Sequence, residues 1–285
     1  MTGTRTRHIL AIEMRLGIDI GGTTINAGLV ENGRIVRSRT FSSFSGGATK
    51  AETIDYLSDI ISKMLVPEVE SIGIGVPTIV DSVRGIVYQA VNIPSWDEVH
   101  LKDELEARHG IHVHVNNDSN CFALGAAAKL GKTYPVMVGI TLGTGLGMGV
   151  VKDGELFCGT RCGVGELGSA QYNGADYESF CSKKFFTENG WGGKEASDEA
   201  DLGNPRAVEI ENEFGTHLGN LLALVMFAYD PDCIVLGGGV AHSFRHFKES
   251  MMVAIRNGYP YPLDFLRIEA MPGGDTSILG AANLK

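Results

Sequence analysis

At 285 residues the chain exceeds what one hydrophobic core usually supports, so two domains are expected, and 44% apolar with 20% charged residues describes an ordinary globular protein. Acidic side chains outnumber basic ones 34 to 24, a net charge of −10 that argues against non-specific binding to nucleic acid or to an anionic membrane surface. No apolar run approaches the ~20 residues needed to span a bilayer.

Residues 1–13 hold arginines and an apolar run too short and broken for a signal peptide, so they read as an extension, with Met14 as an alternative start. The stretch RLGIDIGGTTINAGLVENGRIV at 15–36 alternates with period two. Leu16, Ile18 and Ile20 share one face of a strand, and Ile25, Ala27 and Leu29 one face of the next. Asp19 points the other way. Gly21 and Gly22 allow the turn between the strands to offer amides to an anion, with the Thr23 and Thr24 hydroxyls beside them. Glu31-Asn32-Gly33 folds back a third strand. Residues 51–65 read as a helix, VESIGIGVPTIV as a buried strand ending at Gly75-Val76-Pro77, and DSVRGIVYQAVNIPSW as hairpin and loop. HLKDELEARHG is a charged surface helix closed by Gly110, and IHVHVNND alternates as a strand.

That strand ends at Asn116-Asn117. Ser119 or Asn120 is expected to cap a helix whose apolar face carries Phe122, Leu124 and Ala127. Asp118 then stands at a strand's carboxyl end, the edge where open α/β sheets bind ligands. A carboxylate there can take a proton from a hydroxyl, or can simply cap the helix.

MVGITLGTGLGMGVVKDGEL at 137–156 repeats the first unit: apolar strand, Gly-Thr-Gly turn, second strand, then a hairpin turn at Lys152-Asp153-Gly154. Thr141 takes the place of Asp19 and Gly143 that of Gly21, a constant offset (141 − 19 = 143 − 21 = 122). Two copies of one unit imply two similar lobes. The segment 159–180 is Gly-rich and irregular, and its carboxylates Glu166 and Glu178 suit a polyhydroxylated ligand, though solvated loop charges would look the same. The five cysteines Cys121, Cys158, Cys162, Cys181 and Cys233 are odd in number and lack paired spacing, which fits a reducing, cytoplasmic compartment and argues against structural zinc. AVEIENEFGTHLGNLLALVMFAYDPDCIVLGGGVA reads as a long amphipathic helix, a strand from Cys233 to Leu236, and a turn at Gly237, Gly238 and Gly239 that opens another helix.

The ordered series D-I-G-G-T-T at 19–24, G-V-P at 75–77, N-I-P-S-W at 92–96, N-N-D-S-N at 116–120, T-L-G-T-G-L-G at 141–147, G-E-L-G at 165–168 and L-G-G-G-V at 236–240 resembles the ROK family of sugar kinases, from Met14 almost to the end. The resemblance implies an α/β, two-lobed actin-like ATPase (ribonuclease-H-like) fold whose central cleft holds ATP, magnesium and a hexose. Residues 14–118 would form the first lobe, 119–275 the second, and 276–285 a helix returning to the first. Asp19 would belong to the site for Mg2+ and phosphates, with Gly21, Gly22, Thr23 and Thr24 on one phosphate wall and Thr141, Gly143, Thr144 and Gly145 on the other. Gly237, Gly238 and Gly239 would follow the nucleotide. Asp118 matches the catalytic base, and Pro77, Asn92, Asn117, Glu166 and Glu178 the sugar-binding positions.

The resemblance also implies a homodimer. Ser169 stands where the family usually has a histidine, and the family's cysteine-rich zinc segment is absent, which leaves the hexose open: glucose first, then N-acetylglucosamine, N-acetylmannosamine and fructose. The 13 residues before Met14 are too few for the DNA-binding domain of the family's repressors, so a kinase is expected, with a non-catalytic sugar-binding regulator as the alternative.

Overall fold

The computed structural model describes residues 13–44, 46–90, 93–159 and 163–285. Strands β1 (Met14–Ile20), β2 (Thr24–Glu31) and β3 (Arg34–Ser42) form an antiparallel meander. Its second turn is tight because Asn32 and Gly33 adopt φ of 48° and 75°. Leu16, Ile18, Ile20, Ile25, Ala27 and Leu29 are all buried on one side, as their spacing predicts. They pack against helix α1 (Lys50–Met64), which presents Ile54, Leu57, Ile60 and Ile61. Thr49 and Glu52 close its N-terminus as a reciprocal capping box. Each such aliphatic side chain, fully buried, contributes about 1.5–3 kcal/mol.

Strand β4 (Val69–Val76) joins β1 in parallel. A small antiparallel sheet of β5 (Ile79–Asp81), β6 (Ile86–Tyr88) and β7 (Glu98–His100) follows. Helix α2 (Leu101–His109) ends at Gly110 with φ 66°, and β8 (His112–Asn117) completes the first large sheet, ordered β3-β2-β1-β4-β8.

Helix α3 (Asp118–Leu130) leads to β9 (Val136–Leu142), β10 (Leu146–Lys152) and β11 (Glu155–Leu156). A 3-10 turn (Glu166–Ser169), a hairpin of β12 (Gln171–Tyr172) and β13 (Ala175–Asp176), and helices α4 (Tyr177–Cys181), α5 (Lys183–Glu188) and α6 (Gly193–Asp201) come next. The long α7 (Pro205–Tyr229), β14 (Cys233–Gly237), α8 (Phe244–Gly258), β15 (Arg267–Ala270) and α9 (Asp275–Ala282) finish the chain. The second large sheet is ordered β11-β10-β9-β14-β15, the topology of the first repeated, with β14 parallel to β9 as β4 is to β1.

Between the sheets lie two helices. Helix α9 packs on β1, β2 and β4, α3 packs on β9 and β10, and the two helices pack on each other. Glycine permits this closeness: a Cβ on Gly73 of β4 would lie 1.7 Å from Ala281 O, and one on Gly280 of α9 would lie 1.6 Å from Cys121 O of α3.

Three local expectations change. The cap of α3 is Asn117, whose side chain accepts from the amides of Ser119 and Asn120, because its extended backbone lets the carboxamide fold over the first turn. Rather than one apolar face at Phe122, Leu124 and Ala127, α3 buries Ser119, Asn120, Cys121, Phe122, Ala123, Gly125 and Ala126, being covered by α9 and by a sheet. The segment 163–180 is structured, since Asn173 and Gly174 adopt φ of 48° and 83° and close the β12–β13 hairpin. Asn92 and Cys162 lie outside the described residues.

Candidate active site

Asp19 lies on the inner face of β1, the face of Gly17, whose Cβ would strike Ile278 and Ala282 of α9. Across the strands it pairs with Asn26 on β2 and Gly75 on β4. Gly75 decides what approaches it: a Cβ there would sit 3.4 Å from Asp118 Cα and 3.1 Å from Cys121 Sγ, so the first turn of α3 rests on that glycine. Asp19 and Asp118 are thereby brought within electrostatic reach. Burial, then the Asp118 charge, pushes the Asp19 carboxyl up to about 7, partly offset by a hydrogen bond from Asn26.

Burial pushes the Asp118 carboxyl up to about 6, and the nearby Glu166 charge adds to the rise; donations from the Ser119 amide and hydroxyl oppose it. The amide of Ser119 is 2.8 Å from Asp118 Oδ1. Asp118 is the first residue of α3; the capping position is filled by Asn117, and the two side chains share the Ser119 amide. Asn117 is spent within the protein at both ends, since its Nδ2 also donates to Thr78 O at 3.1 Å, beside Pro77.

Each glycine turn is closed by one internal bond from its first glycine, of different span in the two. Gly21 N donates to Thr24 O at 2.9 Å, and Gly143 N to Gly145 O at 3.0 Å. The amides of Gly22, Thr23, Thr144 and Gly145 have no protein partner among the described residues and remain free to meet an anion. Thr141 faces the interior on β9 and pairs in parallel with Gly237, as Asp19 pairs with Gly75. Gly238 adopts φ 81°, close under Leu142, and a Cβ on Gly239 would point into open space, which leaves room for a ligand at that turn.

Glu166 opens the 3-10 turn, and burial followed by the Glu178 charge raises its carboxyl above the ordinary range. Glu178, in the first turn of α4, accepts from Leu146 N at 3.0 Å and pairs with Lys184 of α5. It therefore buttresses the second glycine turn, and Lys183 N adds a bond of 2.9 Å to Gly143 O. Ser169 ends the 3-10 turn, exposed.

Asp19, Asp118 and Glu166 thus form a chain in which each carboxyl is raised by the charge of the next, with the Glu178 charge acting on Glu166, beside both glycine turns. Lys184, Ser119 and Asn26 belong to the site and escape a reading by motif, because their roles rest on partners across the fold. Two half-buried carboxylates with no Lys or Arg hydrogen-bonded to either, beside free amides, suit a divalent cation carried with phosphates. Among the described residues no three His, Cys, Asp or Glu side chains gather as a metal cage, and no helix is long and apolar enough to cross a membrane.

The family model described as "ROK family" matches residues 15–285. A glucokinase of Thermotoga maritima is 28% identical, the match covering 94% of this chain and 96% of that protein. An N-acetyl-D-glucosamine kinase of Haemophilus influenzae is 30% identical over 85% of this chain and 89% of its own length. Among solved structures, a ROK family glucokinase from Streptomyces griseus in complex with glucose and AMPPNP superposes with a TM-score of 0.78 at 26% identity, over 95% of this chain and 98% of that one. A ROK family transcriptional regulator, a homologue of the E. coli MLC protein, shares the fold with a TM-score of 0.82 at 21% identity, over 96% of this chain and 77% of that one. With the repeated β-sheet topology this gives the two-lobed actin-like ATPase fold, and the chain belongs to the ROK family.

Proposed function

We propose that this protein is an ATP-dependent hexose kinase acting on the sugar 6-hydroxyl, with glucose as the first substrate to test and N-acetylglucosamine, N-acetylmannosamine and fructose behind it. The observation that carries the reading is Asp118: a half-buried carboxyl pushed up to about 6, beside Asp19 and between two turns with free amides. At neutral pH it is ionised yet only weakly solvated, as a general base needs to be. It takes the hydroxyl proton while the sugar oxygen attacks the γ-phosphorus and the bond to the β–γ bridging oxygen breaks, releasing ADP.

Gly21, Gly22, Thr23 and Thr24 would line one side of the phosphates, and Thr141, Gly143, Thr144 and Gly145 the other. Gly237, Gly238 and Gly239 would follow the nucleoside. Mg2+ held through Asp19, directly or by water, supplies neutralisation of phosphate charge. Pro77, Asn92, Asn117, Glu166 and Glu178 would shape the sugar pocket, with Asn117 and Glu178 acting partly through the α3 cap and the Lys184 pair. In this reading residues 14–118 and 119–275 are the lobes that close on the ligands, 276–285 returns to the first, and the working assembly is a homodimer.

A coupled ATPase screen over a hexose panel tests the proposal. ATP consumption with at least one hexose, abolished by excess EDTA, is expected. Tight sugar binding without any ATP consumption would favour a sugar-binding regulator instead.

A further inference from the structure

Ser119 is buried, 3% exposed, in the first turn of α3. Its hydroxyl has two neighbours: Thr141 Oγ1 at 2.8 Å and Asp118 Oδ1 at 3.3 Å. The first belongs to β9, at the start of the second glycine turn; the second is the carboxylate of the proposed base. Gly147 on β10 makes the contact possible, because a Cβ there would fall 1.9 Å from Ser119 Oγ and 2.8 Å from Thr141 Oγ1.

The direction of these bonds follows from proton counting. An ionised carboxylate only accepts, so Ser119 gives its single hydroxyl proton to Asp118 and must accept from Thr141. The order is Thr141 to Ser119 to Asp118. Thr141 reaches the carboxylate through this one intermediary, across the boundary between a helix that follows the first sheet and a strand of the second.

We propose that Ser119 is a positioning residue for phosphoryl transfer, its hydroxyl tying the Asp118 carboxylate to the second phosphate turn through Thr141. The amide and the hydroxyl of Ser119 both donate to Asp118 Oδ1, so the tie holds that oxygen from two directions and leaves Oδ2, which has no protein partner among the described residues, turned to the acceptor. It also links the base to the turn that would touch the phosphates. The other groups facing Asp118 are Asp19 from β1, Glu166 from the 3-10 turn and the Cys121 thiol of α3, none of which donates a hydrogen bond to it. The proposal rests on the kinase reading for its effect on turnover, but the tie itself does not.

Two measurements separate these. In the unliganded protein, the 13C resonance of the Asp118 carboxyl, assigned by its loss in Asp118→Asn, is followed in Ser119→Ala, Thr141→Val and the double variant. Thr141→Val should shift the signal even though Thr141 does not touch Asp118, and should have no further effect once Ser119 is alanine. A signal that ignores Thr141→Val, or responds to it equally in the alanine background, overturns the tie.

In turnover, Ser119→Ala should lower kcat about tenfold, the scale of one hydrogen bond to a charged group, with the sugar KM unchanged. Thr141→Ser, which keeps the hydroxyl, should lose less kcat than Thr141→Val. An active wild type whose Ser119→Ala variant stays within twofold of it overturns the positioning role. A wild type that phosphorylates no hexose overturns the kinase reading, and the carboxyl signal then decides on the tie.

Discussion

Asp118→Asn should damage activity and improve stability at the same time. Asparagine keeps the size of the side chain and an Oδ1 that can accept from Ser119, so the first turn of α3 and its Asn117 cap are undisturbed. Removing the basic oxygen should lower kcat by at least about a hundredfold, the usual range of general-base loss, with little change in sugar affinity. Stability moves the other way. Burial raises this carboxyl from 3.8 to about 6, so the folded state holds the proton more tightly than the unfolded chain does.

The resulting cost of ionisation is absent below pH 3.8, grows between there and about 6, and stands in full above. A difference of that size corresponds to about 3 kcal/mol at pH 8, which the variant should recover as a higher thermal midpoint by several degrees. At pH 3.5 the two proteins should melt together. The assays are steady-state kinetics with calorimetric sugar binding, and melting curves at both pH values. A residue that only caps the helix predicts neither effect, because asparagine caps as well as aspartate; a variant active within a few-fold of wild type and no more stable at pH 8 would refute the reasoning.

Other consequences follow from burial and packing. kcat/KM should rise with pH through about 6, where Asp118 ionises, and on through about 7, where Asp19 does; a flat profile between pH 5 and 7 would remove Asp118 as the base. Glu211 of α7 is fully buried, neither oxygen has a hydrogen-bond partner among the described residues, and burial lifts its carboxyl to about 7. Glu211→Gln should therefore stabilise the protein at pH 8 by about 3 kcal/mol and leave it unchanged below pH 4, as read by melting. Gly280→Ala should destabilise by about 3 kcal/mol or more, since its Cβ would lie 1.6 Å from Cys121 O and 2.7 Å from Gly125 N, and backbone cannot step aside as a side chain can. Unchanged denaturant midpoints would contradict the packing of α9 on α3.

What could be read in the sequence was local. The meander at 14–42 and its repeat at 136–156 declare themselves through period two and through tight turns at Asn32-Gly33 and Asp153-Gly154, where positive φ selects the residues. Asp118 was legible because a strand ending in polar residues meets a helix start. The sequence points to a cap two or three residues too late: Ser119, Asn120 and Asn117 are all good capping residues, and only the backbone path chooses among them. The short helices α4 to α6 have too few turns to show a helical period, and the Asn173-Gly174 hairpin signal is easily passed over inside a polar, Gly-rich run. Ser119 with Thr141, and Glu178 with Lys184, could not be found at all, since each pair is made by strands and helices that only the tertiary fold brings together.

In the kinase reading proposed above, the duplication explains why one junction between the halves would carry chemistry and its counterpart would not. Each half ends in a strand followed by a helix, β8 with α3 and β15 with α9, and each helix crosses to pack on the other half's sheet. That exchange places the N-terminus of α3 against β9 while the chain leading into it still belongs to the first sheet. Asp118 can therefore touch Gly75 beside Asp19 on one side and reach Thr141 through Ser119 on the other. The matching start of α9, at Gly274 and Asp275, meets Asn26 instead, an uncharged neighbour on β2. A symmetric pair of cradles would bind phosphate twice with nothing to deprotonate an acceptor. With Thr141 in place of the aspartate of the first unit, and one carboxylate seated where the two units join, the proposed reading makes a symmetric frame into a one-directional site.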